Sequence, residues 1–122
     1  MKTILLFSLT ALGLAQVTTT VAGTPWVFPA SASGGPAIDA PMIAIVGAAI
    51  DSAGNIFAVD AGNNIAVKIT AAGVLTIVAG TGVARVSADG IPAISATISS
   101  PTALALDSSG NLYITDDNRY AK

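Results

Sequence analysis

The amino-acid sequence predicts an all-β chain assembled from repeated four-stranded antiparallel meanders, and three observations carry that expectation. Residues 49–60 (AIDSAGNIFAVD) recur as residues 105–116 (ALDSSGNLYITD), 56 residues on, identical at six of twelve positions with three further Ile/Leu or Phe/Tyr exchanges. Two other blocks keep the same order and nearly the same spacing. TTVAGT (residues 19–24) returns as TIVAGT (76–81), and GGPAIDAPM (34–42) as GIPAISATI (90–98), at offsets of 57 and 56. Order and spacing held over three separated blocks mark duplication, and a period of this length is the signature of a solenoid or propeller. Within each copy, short β-branched runs alternate with turn residues, and helical periodicity is absent beyond residue 15.

The elements follow in order. Lys2, the apolar run 4–14 and the small residues Gly13 and Ala15 form the pattern of a secretory signal peptide over residues 1–15. A membrane anchor needs about 20 apolar residues, and Gln16 followed by Thr18, Thr19 and Thr20 ends the run early. Residues 16–42 are expected to hold one strand (17–22) and a long connection. Residues 43–79 form a complete unit with strands at 43–50, 56–59, 65–70 and 74–79. Turn chemistry separates them: Ser52-Ala53-Gly54-Asn55, Ala61-Gly62-Asn63-Asn64 and Ala71-Ala72-Gly73. Gly54 supplies a residue free to take positive φ. Residues 80–101 form a second long connection, and residues 102–122 a second, partial unit. In residues 56–59 and 112–115, odd and even positions are almost equally apolar. That is the expectation for a sheet sandwiched between sheets, as in a propeller blade, rather than one with a wet face.

Composition narrows the function classes. The chain is 52% hydrophobic and 10% charged, with no Cys, His or Glu. Beyond residue 15, four basic residues (Lys68, Arg85, Arg119, Lys122) stand against seven aspartates, a net −3. Nucleic-acid binding needs a basic patch, and none is expected. Absence of cysteine leaves the destination of the exported chain open beyond secreted or extracytoplasmic.

The paired motif D-S-x-G-N-[IL]-[FY]-x-x-D, followed by Gly62-Asn63-Asn64 or by Asp117-Asn118-Arg119, resembles the NHL repeat, a four-stranded β-propeller blade. The V-A-G-T and G-x-P-A elements resemble a variety of that repeat with long connections between blades. The resemblance covers residues 18–122. It departs from the family in two places. Ile65 stands where an Arg commonly follows the Asn pair, while Arg119 of the second copy follows a loop two residues shorter. The chain also ends within what the resemblance makes the third strand of the second blade. Closed propellers have about four to eight blades. The resemblance therefore implies an incomplete propeller: a fragment of a longer protein, or a subunit of an assembly formed through unpaired blade edges. Many propellers close their ring with an N-terminal strand, and residues 17–22 are expected to serve as fourth partner of the last blade.

Strand direction sorts the loops. Asp60, Asp116, the loops 61–64 and 117–118 and the connections 23–42 and 80–100 are expected on one face, and the turns 52–55, 108–111 and 71–73 on the other. Connections of about 20 residues are often functional. The candidate binding residues on that face are Trp26, Asp60, Asn63, Asn64, Arg85, Asp89, Asp116, Asn118 and Arg119. Each has a plainer reading. Asp51 and Asp107 are expected to bond their own turns rather than a metal, Asp60 and Asp116 to hold the loops that follow, and Trp26 and Phe28 to pack a loop rather than stack on a ligand. Three function classes remain. A secreted, non-catalytic module binding a protein or carbohydrate is preferred, with no cofactor, no metal and, after signal cleavage, no membrane contact. The alternative is a piece of a propeller lactonase or lyase whose catalytic residues lie in missing blades. Nucleic-acid binding is disfavoured by charge.

Overall fold

The structure, a computed structural model, describes residues 5–8, 17–20 and 33–117. It is all-β. Strands β1 (Leu5–Ser8) and β2 (Val17–Thr20) form an antiparallel pair. Strands β3 (Ile45–Ile50), β4 (Ile56–Asp60), β5 (Ile65–Ile69) and β6 (Leu75–Ala79) form a four-stranded antiparallel meander in sequence order. Strands β7 (Pro101–Leu106) and β8 (Leu112–Asp116) form a two-stranded sheet. Among the described residues, helix is confined to two one-turn 3-10 segments, Ala37–Asp39 and Ala93–Ser95, each opened by a proline.

The two hairpins β3–β4 and β7–β8 share their register. Ile50 faces Ile56 as Leu106 faces Leu112, and each pair has an irregularity near its open end, at 45–47 and 101–103. Their turns are closed alike. Asp51 N–H donates to Asn55 O at 3.0 Å and Asp107 N–H to Asn111 O at 3.1 Å. Gly54 (φ 81°) and Gly110 (φ 83°) take the left-handed conformation that these turns need.

Two apolar clusters build the core. One face of the meander (Ala58, Ile65, Val67, Ile69, Leu75) is covered by Ala37, Ala40 and Met42 of the first connection. The other face contributes Val59, Ala66, Ala79 and Val78, packed with Ile98 and with Leu104, Leu112 and Ile114 of the two-stranded sheet. Burying both faces explains the consecutive buried residues along β4 and β5. In β8 the expectation of two buried faces fails. Leu112 and Ile114 are half-buried but Tyr113 and Thr115 are exposed, because one side of this sheet packs on the meander and the other faces water.

Two further placements differ from the sequence reading. β2 pairs with β1 rather than with a strand of the second unit. Segments only a few residues apart close a hairpin at small entropic cost, which a distant partner must exceed. The first connection also does not stay on one face. Gly34 N–H donates to Leu75 O (2.6 Å), Leu75 N–H to Gly35 O (2.9 Å), Ile77 N–H to Ser33 Oγ (3.0 Å) and Ala37 N–H to Gly73 O (2.7 Å). These bonds carry residues 33–37 along the outer edge of β6 to the 71–73 turn. An edge strand presents unpaired backbone groups, and this segment satisfies them.

Candidate functional site

Asp60 ends β4 and is fully buried, at 0% exposure. Its carboxylate accepts five hydrogen bonds. Ile43 N–H (2.9 Å) and Asn63 Nδ2–H (2.7 Å) reach Oδ2, while Ala44 N–H (2.9 Å), Gly62 N–H (3.0 Å) and Asn63 N–H (3.2 Å) reach Oδ1. Asn63 Nδ2 also donates to Pro41 O at 3.0 Å. A buried carboxylate is tolerable only when its lone pairs are engaged in this way. One side chain thus ties the end of the first connection, the end of β4 and the following loop into a single frame.

The second unit repeats part of that frame. Asp116 Oδ2 accepts from Ser99 N–H (2.9 Å) and Oδ1 from Ser100 N–H (2.6 Å), the positions 56 residues beyond Ile43 and Ala44. Asp117 N–H donates to Ser100 O (2.9 Å) as Ala61 N–H does to Ala44 O (2.8 Å). Asp116, unlike Asp60, is exposed.

At the opposite end of the strands, Asp51 accepts from Ala53 N–H, Asn55 N–H and Asn55 Nδ2–H. Asp107 does the same with Ser109 and Asn111, and adds Tyr113 Oη–H at 3.1 Å. The side-chain amides of Asn55 and Asn111, foremost, hold the two carboxyls below their ordinary 3.8. These aspartates hold turns. Lys68, opposite Phe57 in the β4–β5 register, lies over its ring with Nζ 5.6 Å from the centroid.

Of the nine candidate residues, Trp26, Asn118 and Arg119 lie outside the described residues. Asp60 and Asn63 are brought into direct contact. Asn64 follows them at φ 53°, and Gly80 approaches its carbonyl so closely that a Cβ there would collide with it. Arg85 and Asp89 sit on the exposed second connection, and Asp116 at the end of β8. A cleft of about 260 Å³ opens where loop 61–64 meets the start of that connection. It is lined by Ser33, Asn63, Ile65, Ile77, Gly80, Thr81, Gly82 and Ile94. Sequence reasoning placed Asn63 here but missed Ser33, Thr81 and Ile94. Thr81 and Ile94 belong to the recurring TIVAGT and GIPAI blocks, and their recurrence was the available signal. Two larger clefts, about 580 and 660 Å³, lie among the tight turns at the other end, walled by residues 71–73 and by 51–52 and 107–110.

No family model matches the chain, and a search of curated proteins returns no match.

Proposed function

We propose that the chain is an exported, non-catalytic module built from NHL-type propeller blades, forming part of an incomplete propeller. It holds a protein or carbohydrate ligand in the cleft between loop 61–64 and the second long connection. The observation that carries this reading is the use made of Asp60. Five donors occupy its carboxylate, so this buried group, next to the Asn63 that lines the cleft, works as a clamp on the backbone rather than as a free base or a metal ligand. A rigid frame beneath a long, exposed connection suits recognition by shape, with apolar contact from Ile65, Ile77 and Ile94 and polar contact from Ser33, Asn63 and Thr81. The blade assignment is supported by the paired motif and by the shared register of the two hairpins.

The test is a screen of the labelled full chain on arrays of oligosaccharides and peptides, followed by titration of any hit. Saturable binding weakened about tenfold or more by Ile94→Arg is expected, since the substitution puts a charge in an apolar wall. Failure to bind any array member, or binding indifferent to Ile94→Arg, would overturn the assignment of this cleft.

A further inference from the structure

The cleft of about 660 Å³ between the two equivalent turns shares no wall with the one at loop 61–64. Asp51, Ser52, Phe57 and Lys68 of the first unit line it, facing Asp107 and Ser109 of the second. The two aspartates sit in matching turns, yet their carboxylates are not equally occupied. Asp107 Oδ1 accepts from Ser109 N–H and Asn111 N–H, and its Oδ2 from Asn111 Nδ2–H and Tyr113 Oη–H. A carboxylate has about four acceptor positions, so this one is filled. Asp51 Oδ1 accepts from Ala53 N–H and Asn55 N–H, but among the described residues its Oδ2 accepts from Asn55 Nδ2–H alone. The difference is one atom. Phe57 stands opposite Ala49 as Tyr113 stands opposite Ala105, and it brings no hydroxyl. Tyr113 Oη, 3.1 Å from Asp107 Oδ2, therefore marks a hydroxyl position that the first unit leaves to a ligand.

We propose that this cleft binds a monosaccharide unit of a carbohydrate, with a sugar hydroxyl donating to Asp51 Oδ2 as Tyr113 Oη donates to Asp107. Its volume falls in the range of about 300–1,000 Å³ typical of small-ligand clefts. Asp51 is an ionised acceptor already fixed by its own turn. The Asn55 side-chain amide does most to hold its carboxyl below the ordinary 3.8, and the charge of Lys68 reaches it as the smallest contribution. Lys68, lying over the Phe57 ring, adds a donor to the same wall. The Ser52 and Ser109 hydroxyls both donate and accept, matching the hydroxyls of a sugar. Ile50, 63% exposed, and Leu106 offer apolar surface to its C–H face. Charge selects among ligands. The carboxylates of Asp51 and Asp107 oppose an anion, and the Lys68 ammonium opposes a cation. A neutral polyhydroxyl ring meets all three without bringing a charge that must be desolvated. The proposal is independent of any ligand held at loop 61–64.

The probes are the methyl glycosides of glucose, galactose, mannose and N-acetylglucosamine, with acetate and ethylammonium as charged controls. Each is titrated into the full chain and followed by the amide resonances of residues 51–55 and 107–110. Saturable binding of at least one glycoside is expected. Phe57→Tyr places the residue of the second unit at the same register position, so its hydroxyl fills the open acceptor from within. It is expected to weaken binding about tenfold or more, with folding unchanged by circular dichroism. Lys68→Met, which removes a donor, is expected to weaken binding about threefold or more. Tyr113→Phe, the reverse exchange, is expected not to weaken it. Absence of glycoside binding, indifference to Phe57→Tyr or to Lys68→Met, equal weakening by Tyr113→Phe, or equal binding of a charged control overturns the proposal.

Discussion

Asp60 and Asp116 make matching bonds to the chain ahead of their hairpins, but one is sealed from water and the other is not. Removing Asp60 strands five donors in a buried frame, so Asp60→Ala is expected to cost about 3 kcal/mol or more. At Asp116 water replaces the lost acceptor, and Asp116→Ala is expected to cost about 1 kcal/mol. Urea denaturation of the two variants measures both. Asp51 and Asp107 contribute to acid sensitivity. Their folded pKa values lie below the ordinary 3.8, so their contribution is present above that value and is lost as pH falls below about 4 through the folded values. The urea midpoint is expected to fall over that range, and to fall less in the Asn55→Ala, Asn111→Ala double variant. The turn role of these two aspartates is legible in sequence, because their partners lie two and four residues away. The bonds from Asp60 to Gly62 and Asn63 are legible for the same reason. Its bonds to Ile43 and Ala44 are not, because these lie 17 and 16 positions away and only the folded hairpin brings them together.

At the scale of elements, strand positions in the meander follow from turn chemistry. Asp-Ser-x-Gly-Asn and Ala-Ala-Gly interrupt β-branched runs too short for helices, and β3 to β6 lie between those interruptions. The path of residues 33–37 is different. No strand-like alternation marks them, and they lie along β6 because an edge strand offers backbone groups to whatever segment reaches it. Gly80 marks the junction on which the cleft depends. It sits at φ 90°, donates its N–H to Ala93 O and lies against the Asn64 carbonyl. Gly80→Ala combines positive-φ strain with a backbone collision and is expected to destabilise by about 1–3 kcal/mol. The thermal midpoint reads this directly, and an unchanged midpoint contradicts the close approach.

For the molecule as a whole, the duplicated sequence accounts for two hairpins of one design, which among the described residues differ in burial: the first lies in a four-stranded sheet with β5 and β6, and the second forms a sheet of two strands. Composition could not reveal that asymmetry, since Ala37 and Ala93 sit in the same P-A-I context and differ only in what lies against them. The proposed export adds a separate expectation: a secreted product would begin at Gln16, which intact-mass measurement checks against the precursor. The most direct test of the unequal units is amide hydrogen exchange on the full chain. The amides of β4, paired on both sides, are expected to exchange slowly. The amides of β8, a strand of half-buried and exposed residues, are expected to exchange faster. Protection of β8 equal to that of β4 would contradict the account.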